Sequence, residues 1–409
     1  MTRVVVVGAG HGGVATAQAL RAAGSTAHVT LVSAEDEPPY ERPPLSKDVL
    51  LGKASMDSVR LRAAGWYDDN GVDLLLGTRV AAIDREARAV HLDGGAPLPY
   101  DALVLATGGR PRPLPCPGSG LAGVCSLLTS EHCRDLRSRL AGARDVVIVG
   151  AGFIGLEVAS AAVALGLRPV VLELVDRVLA RGAAAEVSRA VASYHLSRGV
   201  DLRLGTGVRQ LLGTEERVTG VVTSTGEVLP ADLVLVGVGS SPNDGLAAEA
   251  GLHCQDGVVV DAGLRTTDPR ISAIGDCARF PLGHGLVRLE SVQNAVDQGK
   301  HVAARLAGTV RADAPYLAVP WFWSNQGGLR FQAVGVAEGS DHEVVRGDPE
   351  AGRFSVFRFR RDRLVCVDSV NDAAGHRTGR RLLANRAHPT LDQVADPSVD
   401  LRTVGRAPG

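Results

Sequence analysis

The sequence predicts an α/β chain built from two dinucleotide-binding βαβ units followed by a C-terminal α+β domain. Three observations carry this. The stretch "RVVVVGAGHGGVATAQALRAAG" reads as a valine-rich strand, a glycine turn and an alanine-rich helix closed by Gly24. "DVVIVGAGFIGLEVASAAVALG" repeats the design and makes it the clearest internal repeat of the chain. After Leu306 the composition shifts, with Trp321, Phe322, Trp323, Phe331, Phe354, Phe357 and Phe359 concentrating the aromatics of a sequence that is otherwise poor in them.

The elements between these landmarks follow in order. "HVTLVSAE" supplies the second strand of the first unit. The segment "PPYERPPLSKD" then reads as a rigid, irregular bridge, because its prolines fix φ and remove hydrogen-bond donors. "RPVVLELVD" is the second strand of the second unit. "DALVLATGG" before that unit and "DLVLVGVGS" after it both end in glycine, which suits a chain leaving one domain and returning to it. "FSVFRFRRDRLVCVDSV" alternates about a charged tip and predicts an antiparallel hairpin, with the basic stretch "HRTGRRLLANR" predicted to close the last domain as a helix. The expected boundaries are 1–108 with 231–312 for the first nucleotide domain, 109–230 for the inserted second one, and 313–409 for the C-terminal domain.

Bulk properties narrow the function classes. At 409 residues the chain exceeds one ordinary core. A net charge of -1 weighs against a nucleic-acid partner. No apolar run approaches the length of a membrane span, so no membrane association and a cytoplasmic location are expected. The six cysteines show no CxxC spacing, which argues against a zinc site and a disulfide framework, and no metal site is expected.

The two glycine patterns carry the chemistry. A lone GxGxxG also occurs for packing alone, but each copy here follows a strand and opens a helix. Gly8, Gly10 and Gly13, and in the second copy Gly150, Gly152 and Gly155, permit a tight turn, close pyrophosphate approach and helix packing. Two dinucleotides are implied. Glu35 and Glu173 stand at the ends of the second strands, where a carboxylate binds ribose hydroxyls; Glu35 is otherwise a solvated loop acid beside Asp36 and Glu37. Glu173 would repel the 2′-phosphate of NADPH and so favours NADH, although Arg177 and Arg181 keep NADPH open. In "TTDPRISAIGDCA" a strand ends at Gly275-Asp276, where the aspartate either reaches cofactor hydroxyls or caps the next helix.

The order of GxGxxG, "PYERPPLSK", "ATGGRPR", the second GxGxxG in "GFIGLE", "GVGSSPN", "AIGDCA", "RLESVQNA" and "PWFWSNQ" resembles the FAD-dependent ferredoxin reductases that serve bacterial cytochrome P450 and ring-hydroxylating dioxygenase systems. The resemblance covers nearly the whole chain. It implies a glutathione-reductase-like fold, FAD and NADH as cofactors, and a 2Fe-2S ferredoxin as partner of a monomer or homodimer. It implies catalytic roles for Lys47, beside the reactive edge of the flavin, and for its partner Glu157. For FAD it implies contacts from Gly8, Gly10, Gly12, Gly13, Glu35, Arg42, Lys47, Val80, Ala106, Thr107, Gly108, Asp276, Val292 and Trp323. For NAD it implies Gly150, Gly152, Phe153, Ile154, Gly155, Glu157, Glu173, Gly239 and Trp321. Arg377, Arg380, Arg381 and Arg386 are expected either to steer an acidic ferredoxin or to form a solvated face.

Two positions depart from the family pattern. Leu128 stands where many members carry an arginine that contacts the flavin nucleotide, and Val292 stands where other members place tryptophan, the valine version being similar to the P450-serving type. Other functions on the same fold stay open: a rubredoxin reductase, a quinone or flavin reductase, and an NADH-sensing interaction protein similar to apoptosis-inducing factor. Disulfide reductases need a redox cysteine pair and NADH peroxidases a single active cysteine beside the flavin; where the cysteine-dependent NADH oxidases and peroxidases carry that thiol, this chain has "LSK".

Overall fold

The computed structural model describes residues 2–404 apart from His284. Two compact units are present: Met1–Arg42 with Ser55–Arg110 and Ser240–Ala318, and Pro43–Ala54 with Pro111–Gly239 and Val319–Gly409.

The first unit is organised by a five-stranded sheet in the order Ile271–Ala273, Ala102–Leu105, Arg3–Val7, His28–Val32 and Val72–Leu75. All four pairings are parallel. Val4 to Val7 are all buried, as a central parallel strand covered on both faces requires. The helix His11–Ala22 follows and ends where Gly24, at φ 72°, donates to the Arg21 carbonyl while Ser25 reaches back to Leu20. Along it lies the helix Val292–Leu306, and Gly299 lets the two backbones meet: a Cβ there would stand 2.5 Å from the Gly12 carbonyl oxygen.

In the second unit a parallel sheet runs Asp201–Arg203, Val170–Leu172, Val146–Val149, Leu233–Val236 and Val124–Cys125. An antiparallel sheet runs Trp321–Gln326, Leu329–Gly335, Arg363–Val370, Arg353–Arg360 and His342–Asp348. Its predicted hairpin is present, turned by Arg361 and Asp362, both left-handed at φ 47° and 60°, as a tight two-residue hairpin demands. The predicted basic helix is Ala373–Ala384, which starts before His376 because the Asp372 side chain caps it by accepting from the Gly375 amide; it does not close the domain, since the short helix Leu391–Ala395 follows, capped by Thr390.

The strand pairing differs from the sequence expectation at one boundary. Leu233–Val236, in the "DLVLVGVGS" stretch expected to return the chain at 231, pairs instead with Val146–Val149, so it completes the second sheet and the first unit resumes only at Ser240. The C-terminal sheet joins the second nucleotide fold in one unit. Phe153 packs on Phe322 and Phe331 with ring centroids 4.5 and 5.4 Å apart, and the Ala184 amide donates to buried Asp368 at 2.9 Å.

Candidate active site

The two glycine loops have the same construction. Gly8 and Gly150 sit at φ 110° and 103°. A Cβ on Gly8 would lie 2.1 Å from the Ala106 carbonyl oxygen, and one on Gly155 2.1 Å from that of Gly150, so neither position admits a side chain. Above Gly10 nothing lies within 4 Å of a Cβ position. Neither loop supplies a side-chain cap at Gly10 or Gly152, whereas Thr129, Ser291 and Asp372 cap their own helices. The first-turn amides of the helices His11–Ala22 and Phe153–Ala164 receive no side-chain cap, and with the close backbone approach at Gly8 and Gly150 both loops fit a dinucleotide.

In the first unit, Arg42 donates to Glu35 at 2.6 Å and the Tyr40 hydroxyl also donates to Glu35. The expected ribose carboxylate is therefore held by the expected cofactor arginine, with 31% of its side chain still exposed. Thr107 exchanges hydrogen bonds with Asn243, its hydroxyl donating at 2.7 Å and its carbonyl accepting at 2.9 Å, and Gly108 follows at φ 65°. Val80 opens the strand Val80–Asp84, and Val292 is the first residue of the helix whose cap is Ser291. Asp276 lies in the one-turn helix Gly275–Cys277 and makes no cap to a later helix.

Burial pushes the Asp276 carboxyl up to about 7, with the Glu290 carboxylate adding to the push and Arg42 and Arg288 opposing it. Burial and then the Arg42 charge hold the His11 imidazole down at about 4, so it is neutral at physiological pH. A testable consequence concerns FAD-stripped protein. An unfolded aspartate ionises near 3.9, so between about pH 4 and pH 7 the folded chain holds the extra proton and loses stability as pH rises. Urea unfolding midpoints should fall over that window relative to Asp276→Asn, and parallel curves for the two proteins would contradict the assignment.

In the second unit, Glu173 accepts from the Ala151 amide at 2.7 Å and the Val175 amide at 3.2 Å. Its carboxylate is thereby fixed beside the second glycine loop. Arg177 is occupied by the Ala180 and Ala183 carbonyls and the Ser188 hydroxyl, and Arg181 packs against Gly239. Neither arginine that kept NADPH open is held against Glu173.

The stretch "PPLSK" forms the one-turn helix Pro43–Ser46, from whose end Lys47 reaches Glu157 at 2.6 Å. Lys47 also donates to the Pro43 carbonyl at 3.1 Å. The pair is enclosed, with side-chain exposures of 21% for Lys47 and 4% for Glu157. Glu157 lies in the helix Phe153–Ala164 that opens on the second glycine loop, so the predicted ion pair and the predicted nicotinamide-nucleotide loop share one element. Ile154, on the same first turn, is 42% exposed, as a ligand-facing position would be.

Trp321 and Trp323 stand with ring centroids 5.4 Å apart, and the Arg380 guanidinium lies 4.8 Å over Trp321. Arg377, Arg380 and Arg386 are exposed. Arg381 differs from the docking expectation: it donates to the Leu401 and Val404 carbonyls and ties down the C-terminal segment. No disulfide joins the cysteines. Cys133, which donates to the Leu45 carbonyl beneath the "PPLSK" turn, has its thiol pushed up by burial to about 11 and is no thiolate nucleophile.

Sequence reasoning missed Ser46, Ser324, Gln326 and His195. The Ser46 and Ser324 hydroxyls both donate to Glu157, the latter at 2.6 Å. The signal available was period-2 alternation in "WSNQ", which puts Ser324 and Gln326 on one face and Asn325 on the other.

Residues 2–299 match the model of the pyridine nucleotide-disulphide oxidoreductases, and residues 321–405 match that of the reductase C-terminal domain. Rhodocoxin reductase of Rhodococcus erythropolis is 45% identical over 98% of this chain and 93% of its own length. The crystal structure of the ferredoxin reductase of the CYP199A2 system of Rhodopseudomonas palustris matches with a TM-score of 0.95 at 42% identity, covering 98% of this chain and 99% of that one. A solved covalent complex of putidaredoxin reductase with putidaredoxin matches with a TM-score of 0.94 at 40% identity, covering 98% and 97%. The chain therefore belongs to the pyridine nucleotide-disulphide oxidoreductase family, with the glutathione-reductase-like fold, as one of its FAD- and NAD(P)H-dependent ferredoxin reductases.

Proposed function

We propose that this enzyme passes electrons from NADH through FAD to a 2Fe-2S ferredoxin, and that the ferredoxin serves a cytochrome P450. The observation that carries the reading is the enclosed Lys47–Glu157 pair on the helix of the second glycine loop, in a chain without a cysteine pair. Support for the partner comes from the ferredoxin reductase and the putidaredoxin complex matched over nearly the whole chain. When bound, FAD supplies the conversion of a two-electron hydride donor into a one-electron source.

The chain's own residues bind, orient and polarise. The uncapped amides of the two glycine loops take the two pyrophosphates, and Glu173 takes the ribose hydroxyls of NADH while repelling a 2′-phosphate. Glu157 fixes the Lys47 side chain, whose positive charge favours negative charge arriving at the acceptor of the hydride. Arg377 and Arg380 provide an exposed basic face whose Arg380 lies on Trp321. We assign this face to an acidic ferredoxin.

Charge reversal tests the assignment. Arg377→Glu with Arg380→Glu should lower kcat/KM for ferredoxin about tenfold at low salt and flatten its salt dependence, while ferricyanide reduction stays unchanged. Equal loss with both acceptors, or none with either, would remove the docking role.

A further inference from the structure

Glu157 is held from two sides. One carboxylate oxygen accepts from Ser46 and from Lys47, and the other accepts from Ser324 at 2.6 Å. Behind Ser324 the contacts continue inward. The Gln326 amide nitrogen donates to the Ser324 oxygen at 3.3 Å, and the Gln326 carbonyl oxygen faces His195 Nε2 at 2.8 Å. Ser324 and Gln326 have no exposed surface and His195 has 1%. Four elements converge here: the Pro43–Ser46 turn, the helix Phe153–Ala164, the helix Ala185–Ser197 and the strand Trp321–Gln326.

Counting protons gives the series a direction. An ionised carboxylate only accepts, so the single Ser324 proton goes to Glu157. The Ser324 oxygen must then accept from the Gln326 amide. That leaves the Gln326 carbonyl facing His195, which must carry its proton on Nε2. Burial lowers the His195 pKa and so favours the neutral ring, which has one proton to place. Each donor in the row points towards Glu157, and such aligned hydrogen bonds polarise one another. Ser, Gln and His are costly to bury, and apolar residues of similar size would stabilise the core as well or better. Their presence calls for a reason beyond packing.

We propose that Ser324, Gln326 and His195 are positioning residues, a directed hydrogen-bond relay that holds the Glu157 carboxylate turned towards Lys47 for reduction of the enzyme by NADH. The inference rests on the reading of Lys47 and Glu157 as the catalytic pair. It predicts that Ser324→Ala slows flavin reduction at saturating NADH about tenfold, as expected for loss of one hydrogen bond to a charged group, with the dissociation constant of NADH changed less than about threefold. Ser324→Thr restores the hydroxyl and should recover most of the rate. A residue that serves packing alone would change the melting temperature without this split between rate and affinity and without rescue by threonine.

The experiment is stopped-flow reduction of the holoenzyme and its Ser324→Ala, Ser324→Thr, Gln326→Met and Lys47→Met variants, together with nitrogen-15 NMR of histidine-labelled wild type. The relay predicts slow Ser324→Ala and Gln326→Met, recovery in Ser324→Thr, and a His195 proton on Nε2. A normal rate in Ser324→Ala alongside a slow Lys47→Met overturns the relay alone. A normal rate in Lys47→Met overturns the pair on which it rests. Should the Ser324 or Gln326 variants fail to fold or retain FAD, the wild-type tautomer still decides, since a proton on Nδ1 reverses the direction and contradicts the inference.

Discussion

Lys47→Met will slow reduction of the flavin by NADH on the order of 10²-fold, the loss typical when one preorganised charge or donor is removed from a reacting centre. The effect is electrostatic. Lys47 is the cation held against Glu157 at 2.6 Å with little access to water, so its charge is weakly screened. Removing it also leaves a carboxylate of 4% exposure without its counter-ion, for which a stability loss of about 3 kcal/mol is expected. The two effects separate experimentally. Lys47→Arg keeps the charge and most of the stability and should recover part of the rate, and FAD content reports folding independently. A Lys47→Met enzyme that retains FAD and reduces at the wild-type rate would remove the residue from the mechanism.

The second large effect concerns the nicotinamide donor. The wild-type enzyme should prefer NADH to NADPH in kcat/KM by about 10²-fold, because the fixed Glu173 carboxylate would meet the 2′-phosphate. Two like charges about 5 Å apart repel by roughly 3 kcal/mol at an effective dielectric constant near 20. Arg177, which sequence reasoning offered as a counterweight, is spent on Ala180, Ala183 and Ser188. Glu173→Gln keeps an acceptor for the Ala151 amide and removes the charge. Steady-state rates should then move the preference towards NADPH at least about tenfold. An unchanged ratio would mean that another group reads the 2′ position.

Local chemistry was legible from the sequence and long-range pairing was not. The glycine loops, the hairpin with its charged tip and the basic helix around "HRTGRRLL" follow from residue types within one turn or strand, although the Asp372 cap that starts the helix three residues earlier was not read. The Lys47–Glu157 contact spans 110 residues, and only the resemblance to a family placed the two together. Ser324 lies 167 residues from Glu157. Alternation in "WSNQ" shows that Ser324 and Gln326 share a face, yet says nothing of what that face meets. The strand Leu233–Val236 was misplaced for the same reason. A buried apolar strand ending in glycine fits either parallel sheet, and only its register with Val146–Val149 decides between them. Arg381 read as one more surface charge of a basic helix, because the carbonyls it satisfies belong to the irregular C-terminal segment.

The proposed function turns on whether this enzyme hands its electrons to a ferredoxin. The direct measurement is NADH-driven cytochrome c reduction by the FAD-loaded protein with and without 2Fe-2S ferredoxins of P450 systems, with ferricyanide as the unselective acceptor and rubredoxin in the panel. Strong stimulation by at least one 2Fe-2S ferredoxin, saturable in ferredoxin and weakened by salt, is the expected result. Brisk ferricyanide reduction that no ferredoxin in the panel converts into cytochrome c reduction would contradict it.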